Sequence, residues 1–351
     1  MPSQVVSLER GVSAYDVWSV ILGDEGKKPR LRPAKTFFRN LHVGDISLLT
    51  EAFKCWRDFD EYLVIKGEHR ETGEKKFYGV KCSKRGNDVY GERTRKRLGF
   101  LKGAENLVFF KKEDFDCKKI VKTRLLWMTF SFDSKLCSLK DSWVEGEHYW
   151  NLMITNLRNK YGRIQVIKFP QASPWKQGEA YGYLHYHAVL LFQDHEFSVF
   201  PWMNGEGKLE YRIHERDELR AQAKWHSFID IKAISSMEGI HNYAVKHHEN
   251  AGWGDSEEAV LNNAMCWLFK KKSYTISGDF RPVYSEFIRS MHNSKAFQMT
   301  LDGEKLPVWV WSFVGIVSLV ELCRLEGISW SSPWFVSLSD SQVGELVGGV
   351  G

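Results

Sequence analysis

Apolar and polar positions change rhythm along this chain. Up to residue 116 the apolar runs are short, Tyr62 to Ile65 and Phe77 to Val80, and charged turns separate them. Past Lys122 the rhythm sharpens. Leu125 to Phe132 (LLWMTFSF) alternates as a half-buried strand does. Trp143, Trp150, Leu152 and Leu157 recur as a helical stripe, with Arg158 and Lys160 near its end, where the helix dipole favours cations. Ile164 to Phe169 predicts a second strand, Pro170 to Gly182 a loop with two prolines and two glycines, and Tyr183 to Phe192 a third strand. Asp217 to Ala223 predicts a helix, Phe228 to Ile234 a fourth strand, and Met237 to Glu249 a further helix. Leu306 to Val320 (LPVWVWSFVGIVSLV) is nearly uncharged but runs straight into Glu321 and Arg324. It is shorter than the roughly 20 residues a membrane span needs, so a buried C-terminal helix is expected, with no membrane partner. The tail from Ser337 to Gly351 is expected to fray.

Strands interrupted by helices predict an α+β fold in which helices cover an antiparallel sheet. Three segments follow: a basic region 1–116, a central domain 117–295, and an apolar helical segment with a flexible tail, 296–351. A 43% hydrophobic share with 14% aromatics over 351 residues suffices for a substantial core. Six cysteines without a CxxC pair exclude a zinc ribbon or a dense disulfide framework, and the start MPSQVVSLERG lacks a signal-peptide pattern. A reducing, cytoplasmic setting is expected. The formal charge of +5 matters less than its distribution. Basic clusters at Lys27 to Arg39, Lys84 to Lys102 and Lys270 to Lys272 each carry aromatics, a combination suited to a phosphate backbone with bases stacked beside it.

The chemistry-bearing residues fall in the central domain. A two-residue period places His185 and His187 on one face of their strand and sends Leu184, Tyr186 and Ala188 the other way. Two imidazoles side by side on a rigid strand are half of a divalent-metal site. In Gly239 to His248 (GIHNYAVKHH) helical spacing brings Tyr243, Lys246 and His247 together. A tyrosine there is a candidate nucleophile toward phosphorus. Its phenolate is scarce at neutral pH, so it needs a cation such as Lys246 and a metal-polarised phosphate.

Taken in order, the strand Leu126 to Ser131, the triplet His185-Tyr186-His187 and the tetrad Tyr243-Ala244-Val245-Lys246 resemble the motif succession of rolling-circle replication initiators, members of the HUH endonuclease superfamily. Trp267 to Phe280 is also similar to the downstream part of plasmid initiators, so the resemblance covers roughly Lys122 to Phe280. It implies an RRM-like (ferredoxin-like) sheet, Mg²⁺ or Mn²⁺ on His185 and His187, and attack by Tyr243 on an origin strand, leaving a 5′-phosphotyrosine link and a 3′ hydroxyl for a host DNA polymerase. His247 stands where some initiators carry a second tyrosine, which implies a single-tyrosine cycle in which His247 or Glu238 activates water. For the third metal ligand the candidates are Glu179 and Gln171, since Lys168 stands where an acidic residue is expected. The chain has no GxxxxGK[ST] loop, so unwinding falls to a separate helicase.

The basic stretch Lys81 to Leu101, with Lys81, Lys84, Arg85, Arg93, Arg95, Lys96 and Arg97, is the candidate surface for single-stranded and origin DNA. Other classes of reading fit the same residues. One is a zinc hydrolase in which a third histidine completes the metal set. Another is a DNA-binding protein without chemistry, and within the superfamily a single-tyrosine transposase shares the motif order.

Overall fold

The computed structural model describes residues 43–117, 120–174, 180–249, 256–277, 280, 297–299, 305–307 and 309–348. In chain order it runs through α1 (Val43–Asp58), β1 (Glu61–His69), β2 (Lys75–Lys81), α2 (Asp88–Leu98) and two 3₁₀ segments, Gly99–Leu107 and Lys112–Cys117. There follow β3 (Val121–Thr123), β4 (Leu125–Ser131), α3 (Leu139–Tyr161), β5 (Ile164–Ala172), β6 (Leu184–Phe192), β7 (Phe197–Met203), β8 (Leu209–Ile213), α4 (Arg216–Ala223), β9 (Ile229–Ala233), α5 (Met237–Glu249) and α6 (Glu257–Leu268). The chain closes with β10 (Thr275–Ile276), β11 (Phe297–Met299), β12 (Lys305–Pro307), β13 (Trp309–Ser318), α7 (Leu319–Arg324), β14 (Ser329–Ser332), β15 (Phe335–Leu338) and α8 (Asp340–Gly348). The fold is mixed α and β with antiparallel sheets.

One five-stranded sheet has the order β10-β5-β6-β4-β9, antiparallel throughout. Its middle strand β6 carries Leu184, Tyr186, Ala188 and Leu190 at full burial on one side. There α3 lies across the sheet, presenting Trp143, Trp150, Met153, Ile154 and Leu157 to the core. Leu152, expected in this stripe, is 50% exposed: one residue before Met153, it falls about 100° round the helix from the buried row. Gly146 sets how closely α3 approaches β6, because a Cβ there would stand 2.5 Å from Leu184 Cδ2 and 2.8 Å from the Tyr186 hydroxyl. The other side of the sheet is closed by α2, the first 3₁₀ segment and α5, through Leu98, Leu101, Met237 and Ala244 on Ile167, Phe169 and Val189.

A second five-stranded sheet, β13-β1-β2-β15-β14, joins residues 61–81 to residues 309–338. Segments far apart in sequence thus share one sheet, and α7 and α8 cover one of its sides through Leu322 and Val343. Here the sequence expectation of a buried C-terminal helix is corrected: Trp309–Ser318 is a strand paired along its length with β1. Its valines, isoleucine and aromatics suit a pleated surface, and a partner strand far back in the sequence supplies the hydrogen bonds. The expected fraying tail is corrected too, for Ser337 pairs with Tyr78 within β15 and residues 340–348 form α8. Among the described residues no helix is long and apolar enough to cross a membrane.

Candidate active site

On β6 the pleat turns His185 and His187 away from α3, toward α5. Their rings stand at 88° with centroids 4.7 Å apart. Thr129 faces His187 directly across the β4–β6 pair, and its Oγ1 lies 3.0 Å from His187 Nδ1. The Trp127 ring stacks on the same imidazole at 5.4 Å and 21°. The Thr129 contact and the Trp127 stack together fix the orientation of this ring, and when Nδ1–H is the donor to Thr129, Nε2 keeps the lone pair a ligand needs.

Gln171 reaches the histidines because β5 continues three residues past the predicted end at Phe169. Pro170 would break a central strand, but β10 pairs only with Ile167 and Lys168, so β5 is an edge at this point. The buried edge amide of Ala172 donates to Asn262 Oδ1 of α6 at 3.1 Å, which anchors the strand end. Gln171 then sits in register with His185, and its Oε1 accepts both from His185 Nε2 at 3.1 Å and from the Tyr243 hydroxyl at 2.9 Å. Tyr243 projects from α5, edge-on to Trp127 at 4.9 Å and 5.1 Å from the His187 ring centre. Burial pushes its phenol well above the ordinary tyrosine range; the Gln171 hydrogen bond opposes that shift and Glu258 adds to it. A cleft of about 410 Å³ opens beside these groups, lined by Thr129, Ser131, Gln171, His185, His187, Tyr243 and Glu258 among others.

The structure therefore brings together His185, His187, Gln171 and Tyr243. Glu179 lies outside the described residues, as do the side chains of Lys246 and His247. Glu238 is exposed in the first turn of α5 and is not part of the cleft wall. Lys168 points to the opposite side of the sheet, where it pairs with Glu147 at 2.6 Å and lies 4.7 Å from the Tyr186 ring centre, so it occupies no ligand position. The donor set of two imidazoles and an amide oxygen, beside the Glu258 carboxylate in the cleft wall, fits a divalent cation of the Mg²⁺ or Mn²⁺ kind in its oxygen component. Among the described residues no three His, Cys, Asp or Glu side chains converge as a ligand group.

The basic stretch divides into two populations. Lys81 pairs with Asp60 at 2.9 Å, buried Lys84 with Glu61 at 2.6 Å, and Arg85 donates to Ser273 and to the Lys271 carbonyl. These three hold parts of the fold together. Arg93, Arg95, Lys96 and Arg97 stand exposed on α2, which packs against the tyrosine helix α5. Sequence reasoning passed over Trp127 and Glu258. The Ser256-Glu257-Glu258 run reads as an ordinary helix start, and Trp127 as a core residue; only the meeting of β4, β6, α5 and α6 reveals otherwise. No family model, curated protein or solved structure matches the chain in the comparisons made with each.

Proposed function

We propose that the chain is a metal-dependent nicking and joining enzyme for single-stranded DNA, with Tyr243 as nucleophile and His185, His187 and Gln171 as the metal-holding set. The observation that carries this reading is the convergence of the Tyr243 hydroxyl and His185 on one oxygen of Gln171, beside His187. A candidate nucleophile and a candidate ligand from separate elements meet on one amide oxygen, with the second imidazole 5.1 Å from the tyrosine ring centre, an arrangement that supports positioned attack. With the β7–β8 pair as an insertion between β6 and α4, the succession β4-α3-β5-β6-α4-β9 and the spatial order β5-β6-β4-β9 support an RRM-like (ferredoxin-like) reading of the sheet.

A Mg²⁺ or Mn²⁺ held by His185, His187 and Gln171 would supply Lewis-acid polarisation of a phosphate oxygen. Thr129 and Trp127 hold the His187 ring, and Gln171 orients the Tyr243 hydroxyl. Burial keeps the Tyr243 phenol protonated, so attack requires that its proton leave. In the step proposed, the Tyr243 oxygen bonds to phosphorus while its proton passes to water. The bond from phosphorus to the 3′ oxygen breaks, and that oxygen takes its electron pair and gains a proton. The strand's 5′ phosphate is left on the tyrosine, and the reverse attack by a 3′ hydroxyl rejoins DNA. Lys246 and His247 keep the assisting roles their motif implies, and a host polymerase and a separate helicase would complete rolling-circle replication.

The test is incubation of the purified protein with labelled single-stranded origin DNA in Mn²⁺ or EDTA, followed by denaturing electrophoresis. A labelled band migrating with the protein, dependent on Mn²⁺ and absent in Tyr243→Phe, is the expected result. A Tyr243→Phe protein that still captures DNA would overturn the assignment.

A further inference from the structure

Alternation along β1, β2, β13 and β15 gives the second sheet two unlike sides. Tyr62, Val64, Phe77 and Val336 face the covered side beneath α7 and α8. On the other side Trp309, Trp311 and Tyr78 form a continuous aromatic row that ends on Phe335 of β15. Trp309 and Trp311 are stacked at 6.1 Å and 27°, Trp311 and Tyr78 lie 5.7 Å apart, and Tyr78 and Phe335 4.6 Å apart. Trp311 is 49% exposed and Phe313, two residues along the same strand, 65% exposed. Gly67 sits directly under the Trp311 ring, for a Cβ there would come within 2.5 Å of Cζ3. The absence of a side chain lets the indole lie down on the sheet and turn its other face outward.

One cation adjoins the row. Lys76 Nζ, which also pairs with Glu74, stands 4.5 Å from the Trp309 ring centre. On the side of the sheet opposite the row, where Lys81 lies level with Tyr62, Lys81 pairs with Asp88, the first residue of α2, and the Trp334 indole donates to the same carboxylate. From there α2 runs about 16 Å to pack against α5, carrying the exposed Arg93, Arg95, Lys96 and Arg97. An aromatic sheet is thus joined by a cationic helix to the element that bears Tyr243.

We propose that this aromatic face is a stacking platform for the bases of single-stranded nucleic acid, with Lys76 beside the backbone. Bases of any identity stack on exposed rings while cations track the backbone, so the platform would grip a strand without reading its sequence. The choice of nucleic acid as occupant rests on the function proposed above; the platform itself is separate from the metal and tyrosine site.

The experiment is fluorescence anisotropy of a labelled thymidine 20-mer, in EDTA, with Tyr243→Phe as the parent protein, so that neither metal nor covalent capture contributes. Trp311→Ala and Phe313→Ala should each bind roughly five- to a hundredfold more weakly than the parent, while Trp311→Phe, which keeps a ring, should bind nearly as well as the parent. Phe313, being so exposed, can be removed with little effect on folding, and a thermal melt of each variant checks this. Parent-like affinity in both alanine variants overturns the proposal. So does a parent dimer that becomes monomeric in the variants with oligonucleotide binding intact, or vesicle binding lost in the variants while oligonucleotide binding stays. If no covalent adduct ever forms yet oligonucleotide binding depends on Trp311, the platform stands and the nicking reading falls. If the adduct forms and the variants bind normally, the reverse holds.

Discussion

Replacing Thr129 with valine isolates one hydrogen bond in the site. Thr129 lies opposite His187 in the β4–β6 pair, with Oγ1 3.0 Å from Nδ1. Valine keeps the branching at Cβ and nearly the same volume, so the strand and its packing persist and only the hydroxyl is lost. The cost to folding is that of one hydrogen bond in a half-buried position, about 0.5–1.5 kcal/mol. The cost to metal binding is larger, because the bond holds the imidazole in the orientation that turns Nε2 toward the cleft and, as acceptor, supports the Nδ1–H tautomer that ligates through Nε2. Loss of such an outer partner weakens a metal about 10- to 100-fold, or about 1.4–2.8 kcal/mol. Trp127 still braces the ring from its stacked position, which places the expectation near tenfold. The assay is a Mn²⁺ titration followed by electron paramagnetic resonance of the free ion, which needs no turnover, together with the Mn²⁺ half-saturation of adduct formation. Thr129→Ser, which restores the hydroxyl, should return both toward wild type. Wild-type Mn²⁺ affinity in Thr129→Val would refute the claim that this bond sets the ligand.

The two populations of basic residues should separate on mutation. Lys84→Ala removes a buried ammonium that serves Glu61 and the Trp56 and Phe59 carbonyls, so it should cost about 2–4 kcal/mol of stability in urea unfolding, whatever its effect on DNA. Arg95→Ala with Lys96→Ala should leave the melting temperature nearly unchanged, since their pairs with Glu92 are exposed. The same double variant should lower the salt slope of DNA binding by about one for each phosphate that it no longer neutralises. Lys168 provides a pH test. Burial lowers its pKa below the ordinary 10.5, against the pull of Glu147. Between the lowered value and 10.5 the unfolded chain therefore holds more protons at this group, and its contribution to stability rises with pH. Lys168→Met should flatten that alkaline rise in chemical unfolding while leaving DNA capture intact, because the side chain lies across the sheet from Tyr243.

Local pattern determined a good deal of this protein. The alternation in Leu125 to Phe132 and Tyr183 to Phe192, and the helical period in Met237 to Glu249, correspond to β4, β6 and α5 within a residue or so. The period of two also put His185 and His187 on the face opposite Tyr186, since adjacent side chains on a strand point to opposite sides whatever surrounds them. These are properties of a few consecutive residues, and they survive without knowledge of the rest of the chain.

What tertiary structure decided was every relation between residues distant in sequence. Gln171 becomes a site residue because β5 lies beside β6 and is an unpaired edge past Lys168, which allows Pro170 inside a strand. Lys84 reads as a surface cation in a basic run, yet it is buried because the chain returns two carbonyls and a carboxylate to it. The sharpest case is Trp309–Ser318. Its composition is equally compatible with an apolar helix, and pairing with Glu61–His69 makes it a strand with one aromatic side left to solvent. Hydrogen-bond partners for a strand come from elsewhere in the chain, whereas those of a helix lie four residues away; the first kind of information is absent from any local window.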